Sequence, residues 1–360
     1  MKSFLLKEKS KKTFDEKLQT LGDRTQRQYK KTVVRFEKFC NDFYNGRDSA
    51  EIFAELNFLK GQEKFEAIYD VLQNWTNWNY VNKVKTSSVK GYNSHLRKVF
   101  YHYGIKLDLQ DMKENLDYKK DAKEEPYALQ LKDIQHIFRY ANPKKLAYYL
   151  ALISTGARPV ELIQVRKKDI DISGKRVKIT LRASSTKTLH GRSVWLTKEA
   201  SSYLMPRLKN LSDDDLVFRT SFHLDASGTE ERIFCRYCDK AGYSERYESN
   251  NYRKITLYSF RSFFFGVASD VHREGYAHRM TGHGGYLPQY DRMNDDKKLD
   301  WFLKIEPYLT ISDDLRNKLE IEAQRKKLDE FEKLTEENSV IKQRLTEVEK
   351  ILSSEFKKKH

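Results

Sequence analysis

Chain breakers are scarce in this sequence: 6 Pro and 15 Gly among 360 residues argue for a mostly helical protein. Cysteine is scarcer still, and three thiols cannot build a disulfide framework, so their number fits a reducing compartment. Cys235-Arg-Tyr-Cys238 has zinc-like spacing, but no second pair lies nearby and Cys40 falls in another domain. The pair reads as ordinary helix-borne thiols, and no metal is expected. Long apolar runs are missing as well. No stretch approaches the ~18 apolar residues of a membrane span, and the apolar run within residues 1–7 is too short for a signal peptide. The expectation is a soluble, cytoplasmic protein without a membrane partner.

What the chain has in excess is positive charge, with 68 Lys and Arg against 52 Asp and Glu and a formal net charge of +16. Such a field attracts polyanions, so nucleic acid is the simplest partner, bound through contacts that weaken steeply with salt. With 39% hydrophobic residues over 360 positions, the chain is long enough for two domains and an extension.

Apolar periodicity divides the sequence. Residues 1–19 read as a basic tail and residues 20–107 as a helical, DNA-binding domain, in which Tyr29, Val33, Phe36 and Cys40 share one helix face while Lys30, Lys31, Arg35 and Lys38 take other positions. A further helix is expected from the hydroxyl N-cap at Thr86-Ser87-Ser88, with Val89, Tyr92, Leu96, Val99 and Tyr103 inward. Lys83, Lys85 and Lys90 cluster near its start, and Arg97 lies further along; together they are candidate contacts to a DNA backbone. Residues 108–127 turn polar and lose the apolar period, which reads as a linker. Residues 128–310 form a second domain. Helix returns from Leu131 to Ile163, with Leu146, Tyr149, Leu150 and Ile153 on one face, and breaks at Thr155-Gly156-Ala157. The only convincing β region follows: 169–172, 177–181 and 193–196 read as three strands, with Lys187 in the loop between the second and third. The fold class is therefore mainly α with a small antiparallel sheet. Residues 311–360 are charged and free of Pro and Gly, with Phe331, Asn338, Leu345 and Leu352 spaced by seven and Leu334, Ile341 and Val348 interleaved, which predicts a C-terminal coiled-coil helix.

Within the second domain stands an ordered set of chemical groups: Arg158, Lys187, Tyr258-x-x-Arg261, Gly282-His283 and Tyr290. Two fixed cations, a loop lysine able to give up a proton, an imidazole and a phenol are what attack on a phosphodiester without a metal requires. Arg158 directly precedes Pro159, a residue favoured at the first helical position, so it falls at a helix N-terminus with Glu161 one turn on to buttress its guanidinium.

These stretches, above all Ser154-Thr155-Gly156-Ala157-Arg158-Pro159-Val160-Glu161-Leu162, Leu257-Tyr258-Ser259-Phe260-Arg261 and Thr281-Gly282-His283, resemble the tyrosine recombinases, the phage and archaeal integrases. The resemblance spans about residues 20–310 and implies a helical core-binding domain followed by a catalytic domain. It implies that Arg158, Arg261 and His283 hold the scissile phosphate with help from Tyr258, that Tyr290 attacks to leave a 3′-phosphotyrosine bond, and that Lys187 protonates the departing 5′-oxygen. No metal, ATP or other cofactor is needed on that scheme. The implied substrate is double-stranded DNA carrying attachment sites, and the implied assembly is four protomers on two duplexes.

Two positions depart from the family pattern. Tyr258 stands where the family usually has His, a change shared with some archaeal members. Tyr290 follows His283 by seven residues where nine is typical, which leaves Tyr286 as a competitor; Gly284-Gly285 as a turn, with Leu287-Pro288-Gln289 leading to the phenol, favours Tyr290. Two alternatives share these residues. One is a type IB topoisomerase acting on a single duplex, and the other a catalytically silent DNA-binding protein.

Overall fold

The computed structural model describes residues 9–122, 124–219, 225–283 and 293–358, and they fall into two units, residues 1–124 and 125–360. The first unit is entirely helical among its described residues. In chain order it has α1 (Lys11–Leu18), α2 (Asp23–Phe43), α3 (Ser49–Phe58), α4 (Gly61–Val81), α5 (Thr86–His102) and α6 (Leu109–Asn115). Its core is aromatic: Phe36 stacks on Phe53 with ring centroids 5.8 Å apart, and Phe53 meets Phe100 edge-on at 5.0 Å. Trp75 beside them is fully buried, and its indole N–H donates to Asn93 at 2.8 Å, so the one polar atom of that ring is satisfied.

Two boundaries differ from those the periodicity suggested. Residues 11–18 are α1 rather than tail, because Phe14 and Leu18 bury themselves in this core. The stretch from 108 to 127 begins as α6, whose Met112, with Leu116 just beyond, also enters the core; only the segment after it lacks helix. Two short apolar anchors were enough to capture segments that read as polar. Arg35 moves inward too, donating to Asn79 at 2.6 Å with its guanidinium 5.1 Å from the Trp78 ring.

The second unit continues with α7 (Leu131–Phe138), α8 (Pro143–Thr155) and the single turn α9 (Pro159–Leu162). The helical stretch is thus interrupted at Asn142, whose side chain caps α8 by accepting from the Lys144 N–H at 2.9 Å while Pro143 takes the first position. Every α8 residue from Ala147 to Thr155 is buried, so the helix is a core element rather than one with a single apolar face. Strands β1 (Ile170–Asp171), β2 (Lys178–Leu181) and β3 (Arg192–Trp195) form an antiparallel sheet in that order, with Ile179 opposite Ile170 on one side and Val194 on the other. Then come α10 (Lys198–Leu208), α11 (Ala226–Lys240), α12 (Leu257–Val271), α13 (Glu274–Thr281), α14 (Asp295–Leu309) and α15 (Asp313–Lys358). Phe260 and Phe264 of α12 pack into the same core as α8, which fixes the two helices that carry the site. Ile311, expected to open the C-terminal extension, belongs to this core as well. No helix among the described residues is long and apolar enough to cross a membrane.

Candidate active site

Helix α8 ends at Gly156 in the left-handed conformation, φ 58°, a geometry that costs residues with a Cβ roughly 1–2 kcal/mol. A Cβ there would also sit 2.4 Å from the Phe264 ring. The reversal turns the Gly156 carbonyl toward α12, where it accepts from Arg261 Nη1 at 2.7 Å, and delivers Arg158 to the N-cap of α9. Glu161, wholly buried, then gathers three donors. It accepts from the Arg158 backbone N–H at 2.9 Å, from Arg158 Nη1 at 2.8 Å and from Arg192 Nη2 at 2.7 Å. Arg192 reaches from β3 and also donates through Nε to the Met280 carbonyl at 2.8 Å.

Two guanidinium groups therefore pair with one carboxylate, and with the Arg261 charge nearby the largely buried place keeps an excess of positive charge. Burial pulls the Glu161 carboxyl upward, but the hydrogen bond and charge of Arg192, with the bonds from Arg158, outweigh it and hold the group below the ordinary carboxylate range. Arg261 shows the opposite stress. Burial first, then the charges of Arg158 and Arg192, bring it down to about 10, still cationic at neutral pH. Among the described residues, Nη2 of Arg261 and Nη1 of Arg192 are buried without a hydrogen-bond partner, so the cluster holds donor capacity that this unit does not use.

His283 arrives at the cluster through a second left-handed residue. Gly282 has φ 68°, and a Cβ on it would stand 2.7 Å from Arg192 Nη1, so only glycine lets the chain pass this close to the guanidinium. Its carbonyl accepts a long bond from Arg158 Nη2 at 3.4 Å. The His283 ring meets His278, with their Nδ1 atoms 3.1 Å apart. Partial burial, then the charges of Arg261, His278, Arg158 and Arg192, lower its pKa, so it is neutral at physiological pH.

Arg158, Glu161, Arg261 and His283 are thus brought together. Tyr258 lies one turn before Arg261 on α12, half-exposed, and its phenol is close enough to influence the Arg261 charge. Lys187 is set apart. It stands exposed on the connection between β2 and β3, where it makes no hydrogen bond or ion pair among the described residues, while buried Thr186 beside it fastens the loop by donating to the Ala183 and His190 carbonyls at 3.0 and 3.1 Å. Tyr290 and its competitor Tyr286 lie outside the described residues.

Arg192 was missed in the sequence, although a signal exists. It shares its strand face with buried Val194 and pairs directly with buried Leu181, so a charge there is inward-facing and needs a partner. The Cys235-x-x-Cys238 pair sits on α11, and burial pushes the two thiols up to about 11 and about 12, which keeps both protonated. No group of three or more His, Cys, Asp or Glu side chains suited to a metal occurs among the described residues.

Of the candidate DNA contacts on the first unit, Lys83 and Lys90 are exposed, and Lys85 and Arg97 are half-buried. Lys85, rather than a hydroxyl residue, occupies the N-cap of α5, because Thr86 is buried at the first helical position. The Lys90 ammonium lies 5.0 Å from the Tyr118 ring, an aromatic platform beneath an exposed cation.

The second unit is helical and carries a three-stranded sheet, and two of its arginines are presented from a glycine-ended helix and its packing partner. Residues 127–261 match the model of the phage integrase family. Among solved structures the fold is similar to lambda integrase. A dimer of that protein bound to a COC′ core site aligns at a TM-score of 0.55 and 16% identity, over 77% of this chain and 73% of the other. A shorter lambda integrase dimer on the same site gives 0.51 and 16%, over 79% and 97%. No curated protein matches the sequence.

Proposed function

We propose that this protein cuts and rejoins double-stranded DNA at specific attachment sites through a 3′-phosphotyrosine bond. The observation that carries the reading is the arginine cluster around Glu161, two largely buried cations and one buried cation against one carboxylate, with donors unspent. A phosphodiester in transition gains negative charge on its non-bridging oxygens, and preorganised guanidinium groups in a dry site stabilise that charge without reorganising.

In this scheme Arg158 and Arg261 hold the scissile phosphate. His283, whose partial burial and cationic neighbours oppose its protonation, binds it as a hydrogen-bond donor. Tyr258 adds a further donor in the place of the usual imidazole. The Tyr290 oxygen bonds to phosphorus as the bond to the 5′-oxygen breaks; the phenol gives up its proton to solvent, and the Lys187 ammonium passes its own proton to the departing oxygen. A 5′-hydroxyl from a partner duplex reverses the step, giving its proton to Lys187 while the released phenolate takes one up from solvent. The tyrosyl ester conserves the phosphodiester energy, so rejoining needs no ATP, and the arginines supply the charge neutralisation.

Lys83, Lys85, Lys90 and Arg97 on the helical unit serve the flanking duplex, consistent with the net charge of +16. Lambda integrase, whose fold is shared, has been seen as a dimer on its core site, and by that likeness several copies act together here, four on two duplexes. The working place is the cytoplasm, against the DNA. A nicked suicide duplex bearing the attachment sequence, incubated in chelator, tests the reading. The expected result is an SDS-resistant adduct that maps to Tyr290. An adduct on Tyr286 would move the nucleophile, and failure to form any adduct on the cognate site would contradict the scheme.

A further inference from the structure

The helix α15 begins as part of the second unit. The Ile311 and Ser312 N–H groups donate to the buried Glu199 carboxylate at 2.6 and 3.1 Å, Leu319 is buried, and Lys198 pairs with Glu322 at 2.9 Å. Beyond Leu319 no side chain is buried among the described residues. The apolar residues there are nonetheless ordered. Phe331, Leu334, Ile341, Leu345 and Val348 follow one seam of period 3.5, each between 52% and 67% exposed. A lone helix gains nothing from such a seam in water.

We propose that the seam is closed by α15 of a second copy of this chain, parallel and in register, and that this pairing forms without DNA. Three observations on the helix select that occupant. The first is Asn338, a polar residue at a seam position between Leu334 and Ile341. In a parallel pair the two Asn338 amides face and hydrogen-bond each other, whereas an antiparallel pair would press each against an apolar side chain. The second is the flanking charge. In the parallel register Glu337 of one copy faces Lys342 of the other, and Arg344 faces Glu349, so both flanking positions attract. The third is the local charge balance. Over residues 331–349 the helix has Lys333, Lys342 and Arg344 against Glu332, Glu336, Glu337, Glu347 and Glu349, a net negative segment in a chain of +16. It is built to meet protein rather than the polyanion that the rest of the molecule attracts.

The pairing rests on α15 alone and holds whether or not the site performs recombination. It is tested by the mass of the full-length protein in solution, without DNA, by sedimentation equilibrium at ~1–50 µM, the range in which modest coiled coils associate. The wild type is expected to associate and Leu345→Glu to be monomeric, with the thermal unfolding of both units unchanged. Glu337→Lys should weaken association about three- to tenfold, and Glu337→Lys combined with Lys342→Glu should restore it, because only the parallel register re-pairs the swapped charges. Leu345→Cys should cross-link to itself on oxidation while the wild type, with its own three cysteines, does not. A monomeric wild type, association indifferent to Leu345→Glu, or no cross-link with Leu345→Cys would overturn the proposal.

Discussion

The arginine cluster and the Lys187 loop present positive charge in opposite ways. Arg158 and Arg192 are nearly buried, each anchored to Glu161, and Arg261 is anchored to the Gly156 carbonyl; all three are positioned before any substrate arrives. Lys187 is exposed on a connection whose base is fastened but whose lysine makes no hydrogen bond or ion pair among the described residues. The difference matches the two tasks that the proposed phosphoryl chemistry sets. Charge that must be neutralised at one fixed place favours rigid, permanently ionised forks, and a proton that must be handed over favours an ammonium at the end of a free stem.

Breaking the fixed half should cost most. Arg261→Ala should lower the rate of covalent adduct formation by about 10³-fold, and Arg261→Lys should recover little, because an ammonium lacks the planar fork that spans the Gly156 carbonyl and a phosphate oxygen; single-turnover cleavage reads both. On the mobile side, Lys187→Ala should slow cleavage of an ordinary substrate by about 10²-fold or more, with DNA affinity nearly unchanged in a binding titration. Gly156→Ala attacks the scaffold of the cluster. It combines a positive φ with a collision against Phe264 and should destabilise the second unit by about 3 kcal/mol, read as a lowered denaturant midpoint.

A titration sharpens the comparison more gently. Followed by NMR, the His283 imidazole should protonate below the ~6.5 of a free histidine, because burial and the nearby arginines oppose its charge. The unfolded chain then takes up this proton first, so acidification below that value costs stability, and the cost grows until His283 protonates in the folded state too. A bound phosphate should shift its pKa upward by offsetting the cationic field. The smallest effect is expected at Lys90→Ala, a weakening of DNA binding by a few-fold with the salt slope reduced by about one.

Legibility in the sequence followed the range of the interactions involved. The heptads of α15, the three strands and the turn at Gly156 are local patterns, and they were readable. The order Arg158, Arg261, His283 was readable too, because each sits beside a local marker: a helix-starting proline, a helical spacing, a glycine. Arg192 was not, since its role depends on Glu161 thirty-one residues away and on the Met280 carbonyl, contacts that only the fold creates. The helices α1 and α6 escaped for a related reason. Each is short and polar, and it is helical because one or two apolar side chains reach a core made elsewhere. Glu161 was legible as a buttress for Arg158 but not as the shared anchor of two arginines.

The division of labour between fixed cations and a free lysine is tested most directly by chemical rescue. Cleavage by Lys187→Ala and by Arg261→Ala should be compared on an ordinary substrate and on one with a 5′-phosphorothiolate, whose leaving sulfur needs no proton. The sulfur substrate should restore Lys187→Ala toward wild type and leave Arg261→Ala impaired. Failure to rescue Lys187→Ala, or equal rescue of both variants, would contradict it.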